Sequence, residues 1–98
     1  MASEWDIAIG VMRIAEANHD LCTFDLAYQK IPKYVNLSPE NCEPSPTRSG
    51  EVKWQQQVRN IKSHSPQSGN AVALGYLDHV PDVGYRVTHQ GKEYLKTL

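Results

Sequence analysis

Apolar residues recur at helical spacing in the first part of the chain. Ser3 and Asp6 can form a capping box at the start of this segment, and a helix is predicted from Trp5 to Ala17. Its apolar residues cover one broad side, which indicates extensive burial. They are Ile7, Ala8, Ile9, Val11, Met12, Ile14 and Ala15.

A second helix is predicted to begin at Thr23 and Asp25, with Leu26 and Ile31 pointing inward. Pro32 lacks a backbone N–H and clashes with the preceding turn, so the helix is expected to end near Ile31. An irregular connection then packs through its apolar residues, and Ser38-Pro39-Glu40 predicts a short helical turn. The apolar residues of the connection are Tyr34, Val35 and Leu37.

The segment from Glu51 to His64 predicts a third helix with a narrow apolar stripe. Trp54, Val58 and Ile61 recur at i, i+4 and i+7. The opposite side is polar and carries no carboxylate. It contains Gln56, Arg59, Asn60 and Ser63, flanked by Gln55 and Lys62.

The last third of the chain predicts a hairpin and a final helix. Alternating residues give strands at 76–80 and 85–88, joined by the turn 81–84. Thr88 is the predicted cap of a last helix that carries Tyr94, Leu95 and Leu98. The expected fold is mainly α with a small β-hairpin: a winged helix-turn-helix with three helices, a two-stranded wing and a C-terminal helix. Residues 1–98 are expected to form a single domain.

Composition and charge narrow the function classes. The chain has 98 residues, two cysteines and no long apolar run, which excludes a membrane-spanning protein, a large cofactor-dependent enzyme and a disulfide miniprotein. The net charge is −1, but residues 51–98 alone carry +2. Basic residues concentrate between Arg48 and His64, which suits contact with a polyanion or, equally, a solvated helix face.

Three motifs in the second half of the chain carry a resemblance to a known family. They are WQQQVRNIKSH at 54–64, GYL at 75–77 and GYRVTHQGKEYL at 84–95. Together they resemble the winged-helix domain attached to bacterial restriction endonucleases of the Mrr and HNH types, including modification-dependent enzymes. The resemblance covers roughly residues 50–98.

The resemblance implies a specificity module that binds double-stranded DNA and belongs to a larger, fused nuclease. Some winged helices of this kind read methylated bases. A cytoplasmic, nucleoid-associated location in a bacterium is expected on the same ground. Trp54, Tyr76 and Tyr85 are interpreted first as core residues.

The chemistry of the third helix agrees with DNA reading. Gln and Asn pair with adenine in the major groove, Arg pairs with guanine, and Lys suits phosphates. Gln55, Gln56, Arg59, Asn60 and Ser63 are the candidate base contacts. Arg48, Lys53 and Lys62 are candidate phosphate contacts, and His79 and Arg86 are candidate wing contacts.

No catalytic centre, cofactor or metal site is expected within these residues. His19, Cys22, Cys42 and His64 lack the spacing of zinc ligands, and a cysteine with a distant histidine is no specific sign of a thiol nucleophile. The alternative function is a winged helix that docks on a protein partner without binding DNA. Strong weakening by salt would indicate DNA, whereas salt-insensitive binding to a protein would indicate this alternative.

Overall fold

The computed structural model describes residues 1–98, which form four α-helices, a 3₁₀ turn and three β-strands. No helix is long and apolar enough to cross a membrane. In chain order the elements are α1 (Glu4–Glu16), β1 (Leu21–Thr23), α2 (Phe24–Tyr34), the 3₁₀ turn (Pro39–Cys42), α3 (Lys53–Ser63), β2 (Leu77–Val80), β3 (Gly84–Val87) and α4 (His89–Leu95).

The strands form one antiparallel sheet in the order β1-β3-β2. β3 lies in the centre, and its Tyr85 pairs with Cys22 of β1 and with His79 of β2. The predicted hairpin is confirmed as β2 and β3, but the sheet has a third strand, β1, that was not predicted. With only three residues, β1 is too short to show a recognisable alternation, and its pairing partner lies about sixty residues away in the chain.

Helix α1 forms the centre of the core, and its predicted start is confirmed. Ser3 Oγ accepts a hydrogen bond from Asp6 N at 3.1 Å, and Asp6 Oδ2 accepts one from Ser3 N at 2.9 Å. Ile7, Val11 and Ile14 are fully buried. The helix packs against α2, α3, α4 and the sheet, so the broad apolar side is needed to contact all of them.

Helix α2 extends past the proline that was expected to end it. Thr23 caps the helix through a bond from Leu26 N, as predicted, but Pro32 lies inside the helix, which ends at Tyr34. Pro32 is exposed, so its ring lies on the solvent side of the helix, and the helix forgoes only the hydrogen bond that its missing N–H would donate. Tyr34 is therefore helical and 42% exposed, not part of a packed connection.

Two glycines allow close backbone contacts around the hairpin. A Cβ on Gly84 would lie 2.1 Å from the carbonyl oxygen of Cys22, and one on Gly91 would lie 2.3 Å from that of Tyr76. No side chain fits at either position. The first glycine lets β1 pair with β3, and the second lets α4 begin against the hairpin, with Thr88 as its confirmed cap.

The C-terminal helix anchors itself through aromatic contacts. The ring of Tyr94 stacks on that of Tyr76 at 4.7 Å, and Trp5 of α1 packs edge-on against Tyr94 at 5.7 Å. Leu95 is buried. Leu98 lies beyond the end of α4 and is 58% exposed.

A buried tyrosine fixes α3 on the sheet. The hydroxyl of Tyr85 donates to the carbonyl of Val58 at 2.7 Å and accepts from the N–H of Lys62 at 3.1 Å. Val58 and Lys62 are i and i+4 on α3, so the hydroxyl contacts both backbone groups of one i to i+4 pair of the helix. Burial raises the pKa of Tyr85, which keeps the hydroxyl protonated and able to donate.

Replacing Tyr85 with Phe should lower the free energy of unfolding by about 1–2 kcal/mol, since the buried Val58 carbonyl loses a donor. Urea denaturation measures the change. Tyr34→Phe is the matched control because its hydroxyl makes no hydrogen bond and its side chain is exposed. Equal effects of the two substitutions would contradict a stabilising role for the bridge.

Candidate nucleic-acid interface

The apolar stripe of α3 lies in the core, as predicted. Val58 and Ile61 are fully buried and Trp54 is 6% exposed, with its ring edge-on to Tyr28 at 6.2 Å. The polar side of the helix therefore faces away from the core. Its side chains up to Arg59 are engaged with other parts of the protein, whereas those of the last turn are free.

Side chains near the start of α3 hold the preceding loop, residues 43–51. Gln55 Oε1 accepts from Val52 N at 3.0 Å and so caps the helix. Gln56 accepts from Ser45 Oγ at 2.9 Å and donates to Thr47 Oγ1 at 3.0 Å. Two predicted base contacts thus have structural partners within the protein.

Lys53 is engaged with the same loop. Its Nζ lies 2.9 Å from Glu43 Oε1, and this hydrogen bond raises the pKa of Lys53. Pro44 forms an isolated β-bridge with Val52 beside this pair. The loop therefore lies against the first turns of α3, which are the turns expected to enter the major groove.

Arg59 forms an ion pair with Glu51. No residue of α3 itself carries a carboxylate, but Glu51, just before the helix, contacts Arg59, and the sequence analysis did not predict this ion pair. The Glu51 side chain is only 13% exposed, and its hydrogen bond raises the pKa of the Arg59 guanidinium. Arg59 Nε is buried and has no partner. Arg59 is therefore engaged within the protein, like Gln55 and Gln56.

The polar side chains of the last turn of α3, residues 60–63, are free. Neither the Asn60 nor the Lys62 side chain forms a hydrogen bond or ion pair, and Lys62 and Ser63 are exposed. Ser63 Oγ makes only a long contact of 3.5 Å with the carbonyl of Arg59. Arg48 is exposed on the loop, next to Thr47, which is bonded to α3 through Gln56. We call Arg48, Asn60, Lys62 and Ser63 the free set.

The hairpin contributes its two candidates to different faces. His79 pairs with Tyr85 across β2 and β3 and shares its face, with the two rings 5.8 Å apart. Arg86 follows Tyr85 and so points to the other face, directly opposite Asp78. Because Tyr85 contacts α3, the structure places His79 on the α3 side of the sheet and separates Arg86 from the other candidates.

A histidine and a glutamate link the ends of α3 and α1, a contact that sequence reasoning missed. His64 Nδ1 lies 2.6 Å from Glu4 Oε1. The two residues are sixty positions apart, so no local pattern connects them. Asn41 was missed for the same reason. It is fully buried and holds the backbone of Ala2 at 2.9 and 3.0 Å and Gln57 at 3.0 Å.

The titratable groups do not form a metal-binding cluster of three or more side chains. Cys22 is buried in the core and Cys42 is exposed, and neither forms a disulfide. Burial raises the pKa of the Cys22 thiol to about 12. At neutral pH this thiol is protonated, whereas a nucleophilic cysteine has to be a thiolate.

The chain matches no protein-family model, no curated protein and no solved structure.

Thiol labelling should separate the two cysteines. At pH 8 the native protein should react quickly with one equivalent of a thiol reagent at Cys42, because Cys22 is buried and protonated well above that pH. Denaturant should expose the second thiol. In Cys42→Ser the rapid native reaction should vanish, and rapid labelling of that variant would contradict the buried position of Cys22.

Proposed function

We propose that this chain is a winged helix-turn-helix domain that binds double-stranded DNA with the outward side of α3 in the major groove. The hairpin β2–β3 acts as the wing beside it. No chemistry on DNA is assigned to these residues.

The order of the elements supports this proposal. The chain runs α1, β1, α2 and α3 and then forms the hairpin β2–β3. The second strand of the hairpin, β3, also pairs with β1. This is the order of a winged helix, in which the sheet supports the third helix. The eleven residues of α3 span about 16 Å, and a helix of about 10–12 Å in diameter matches the width of the major groove.

The free set is the observation that carries the proposal. Lys62 and Arg48 offer cations that no acid of the protein neutralises, and phosphates bind such cations with release of counterions. Asn60 offers an amide that can form two hydrogen bonds with adenine. Ser63 adds a hydroxyl for a phosphate or a base. DNA would then first contact the last turn of α3. Contacts would extend toward the first turns once the loop releases Gln56 and Glu51 releases Arg59.

We further propose that the domain is the specificity module of a restriction-type or modification-dependent nuclease whose catalytic domain is separate. The support is the resemblance of residues 50–98 to such domains. The two close-approach glycines of that motif, Gly84 and Gly91, have structural reasons in the hairpin, so they support the wing and do not bear on the choice of target. A methylated base is a candidate ligand.

Binding of duplex DNA at about 50 and 200 mM salt tests the proposal. Paired duplexes with and without methylated bases are compared under the same conditions. A steep loss of affinity with salt supports DNA binding, and a preference for one set shows whether modification is read. Absent or salt-insensitive binding contradicts the proposal and favours a domain that docks on protein.

Lys62→Ala should weaken binding to every duplex and reduce the salt slope by about 1, because one phosphate contact is lost. Asn60→Ala should cost about 1–3 kcal/mol on the preferred sequence only. Lys33→Ala is the control: it removes an exposed, unpaired cation from the end of α2. A loss in the control equal to that of Lys62→Ala would indicate unspecific charge attraction.

Glu51→Gln should tighten DNA binding. The substitution removes a negative charge beside α3 and releases the Arg59 guanidinium, so the salt slope should rise by about 1 if Arg59 reaches a phosphate. Titrations of labelled duplex compare the variant with Glu93→Gln, which makes the same change on α4. Weaker binding by Glu51→Gln would show that the ion pair positions α3 for DNA instead of competing with it.

A further inference from the structure

An open groove of about 780 Å³ lies along the outward face of α1. It is lined by Asp6, Ile9 and Arg13 of α1 and by residues 34–38, which are the end of α2 and the connection after it. Met1 and Leu98 also line it. We call this surface the α1 groove.

The α1 groove collects apolar surface that the fold leaves in water. Five large apolar residues of the chain are markedly exposed, and three of them, Met1, Tyr34 and Leu98, line this groove at 61%, 42% and 58% exposure. Ile9, Val35 and Leu37 add partly buried apolar surface beside them. Exposed apolar residues gathered in one place are typical of an interaction surface, whereas scattered ones are not.

The charges on α1 are self-complementary. Asp6, Ile9 and Arg13 follow at i, i+3 and i+7 and therefore share one face of the helix. Arg13 is exposed and has no ion-pair partner within the chain. Asp6 uses one carboxylate oxygen for the cap and presents the other to solvent. The surface thus offers one unpaired cation and one available anion on either side of an apolar centre.

We propose that the α1 groove binds a second copy of this chain, with the two α1 helices antiparallel about a two-fold axis near Ile9 and Gly10. In this arrangement Asp6 of each copy faces Arg13 of the other, because positions 6 and 13 are symmetric about that point. A two-fold interface requires such reciprocity, since residue i meets residue j and j meets i. The two ion pairs set the register, and the apolar residues supply the affinity.

The charges of Asp6 and Arg13 favour an antiparallel second copy over other partners of the α1 groove. A parallel pair would place Asp6 against Asp6 and Arg13 against Arg13, which is repulsive at both ends. An acidic or basic partner segment would satisfy only one of the two charges. A second copy satisfies both and covers the exposed apolar residues on each side.

Sedimentation equilibrium without DNA tests the proposal over a range of protein concentrations. The unmodified chain should show a monomer–dimer equilibrium. Arg13→Glu should raise the dimer dissociation constant by about tenfold or more, because it places Glu against Asp6 twice. Lys33→Glu is the control: it reverses an exposed charge that does not line the groove and should leave the equilibrium unchanged.

A mixture of two single variants tests the reciprocity. Asp6→Arg alone should also weaken the dimer, because Arg then faces Arg13. Mixing Asp6→Arg with Arg13→Glu should restore dimers, since the mixed pair contains Asp6 facing Arg13 and Arg facing Glu. Circular dichroism verifies that both variants are folded, as the Ser3 hydroxyl still caps α1.

A chain that stays monomeric at all concentrations overturns this proposal, as does a dimer that resists Arg13→Glu or a mixture that fails to recover. These outcomes are independent of DNA binding, because DNA is absent and no residue of the free set is changed. A monomer that still binds duplex DNA would leave the proposed function standing.

Discussion

The geometry of α3 depends on one buried hydroxyl. Tyr85 lies in the middle of the central strand, fully buried, with Phe24 packed edge-on against its ring at 5.7 Å. Its hydroxyl contacts the backbone of α3 at Val58 and Lys62, so the sheet and the helix cannot rotate independently. A hydroxyl in such a dry site has no water to replace its partners, which makes the contact specific as well as stabilising. The rotation of α3 then decides which side chains face outward.

On the outward side of α3, an external ligand would have to compete with partners that the protein itself supplies. The loop 43–51 satisfies the first turns of the helix, and Glu51 neutralises the one arginine of α3. Polar groups that are already paired gain little from a new partner, because one hydrogen bond is exchanged for another. The unpaired side chains in the second half of the helix gain more. If α3 binds DNA as proposed, this difference predicts the strongest contacts near Asn60 and Lys62, away from the first turns.

The sequence predicts the elements that local patterns encode and misses those that depend on distant partners. The capping box at Ser3 and Asp6, the stripe at Trp54, Val58 and Ile61, and the cap at Thr88 are local and were predicted. The strand β1 consists of three residues whose partner lies on β3, so no periodicity reveals it.

The candidate site shows the same limit. Residue type and helical spacing identify the polar side of α3, but they do not show that Gln55, Gln56 and Arg59 have partners within the protein. Those partners come from a loop whose path the sequence does not encode in any regular pattern. Likewise, alternation along β3 shows that Tyr85 and Arg86 lie on opposite faces, but not which of them faces α3. The hydrogen bond from Tyr85 to Val58 decides this and places Arg86 on the face away from α3.

Helix α1 bears on both proposals, DNA binding through α3 and pairing of two copies, because its different faces contact different parts of the structure. Glu4 at its start contacts His64 at the end of α3, and its core side packs against α2, α3 and the sheet. The face with Asp6, Ile9 and Arg13 lies in the α1 groove, and no residue of the free set lines that groove. Pairing through α1 would therefore leave both copies of α3 open to solvent. Two such helices related by a two-fold axis suit a DNA site with the same symmetry, in which each half-site meets one copy. The free set of one copy offers few contacts, and two copies on one duplex would add their phosphate contacts and steepen the dependence on salt.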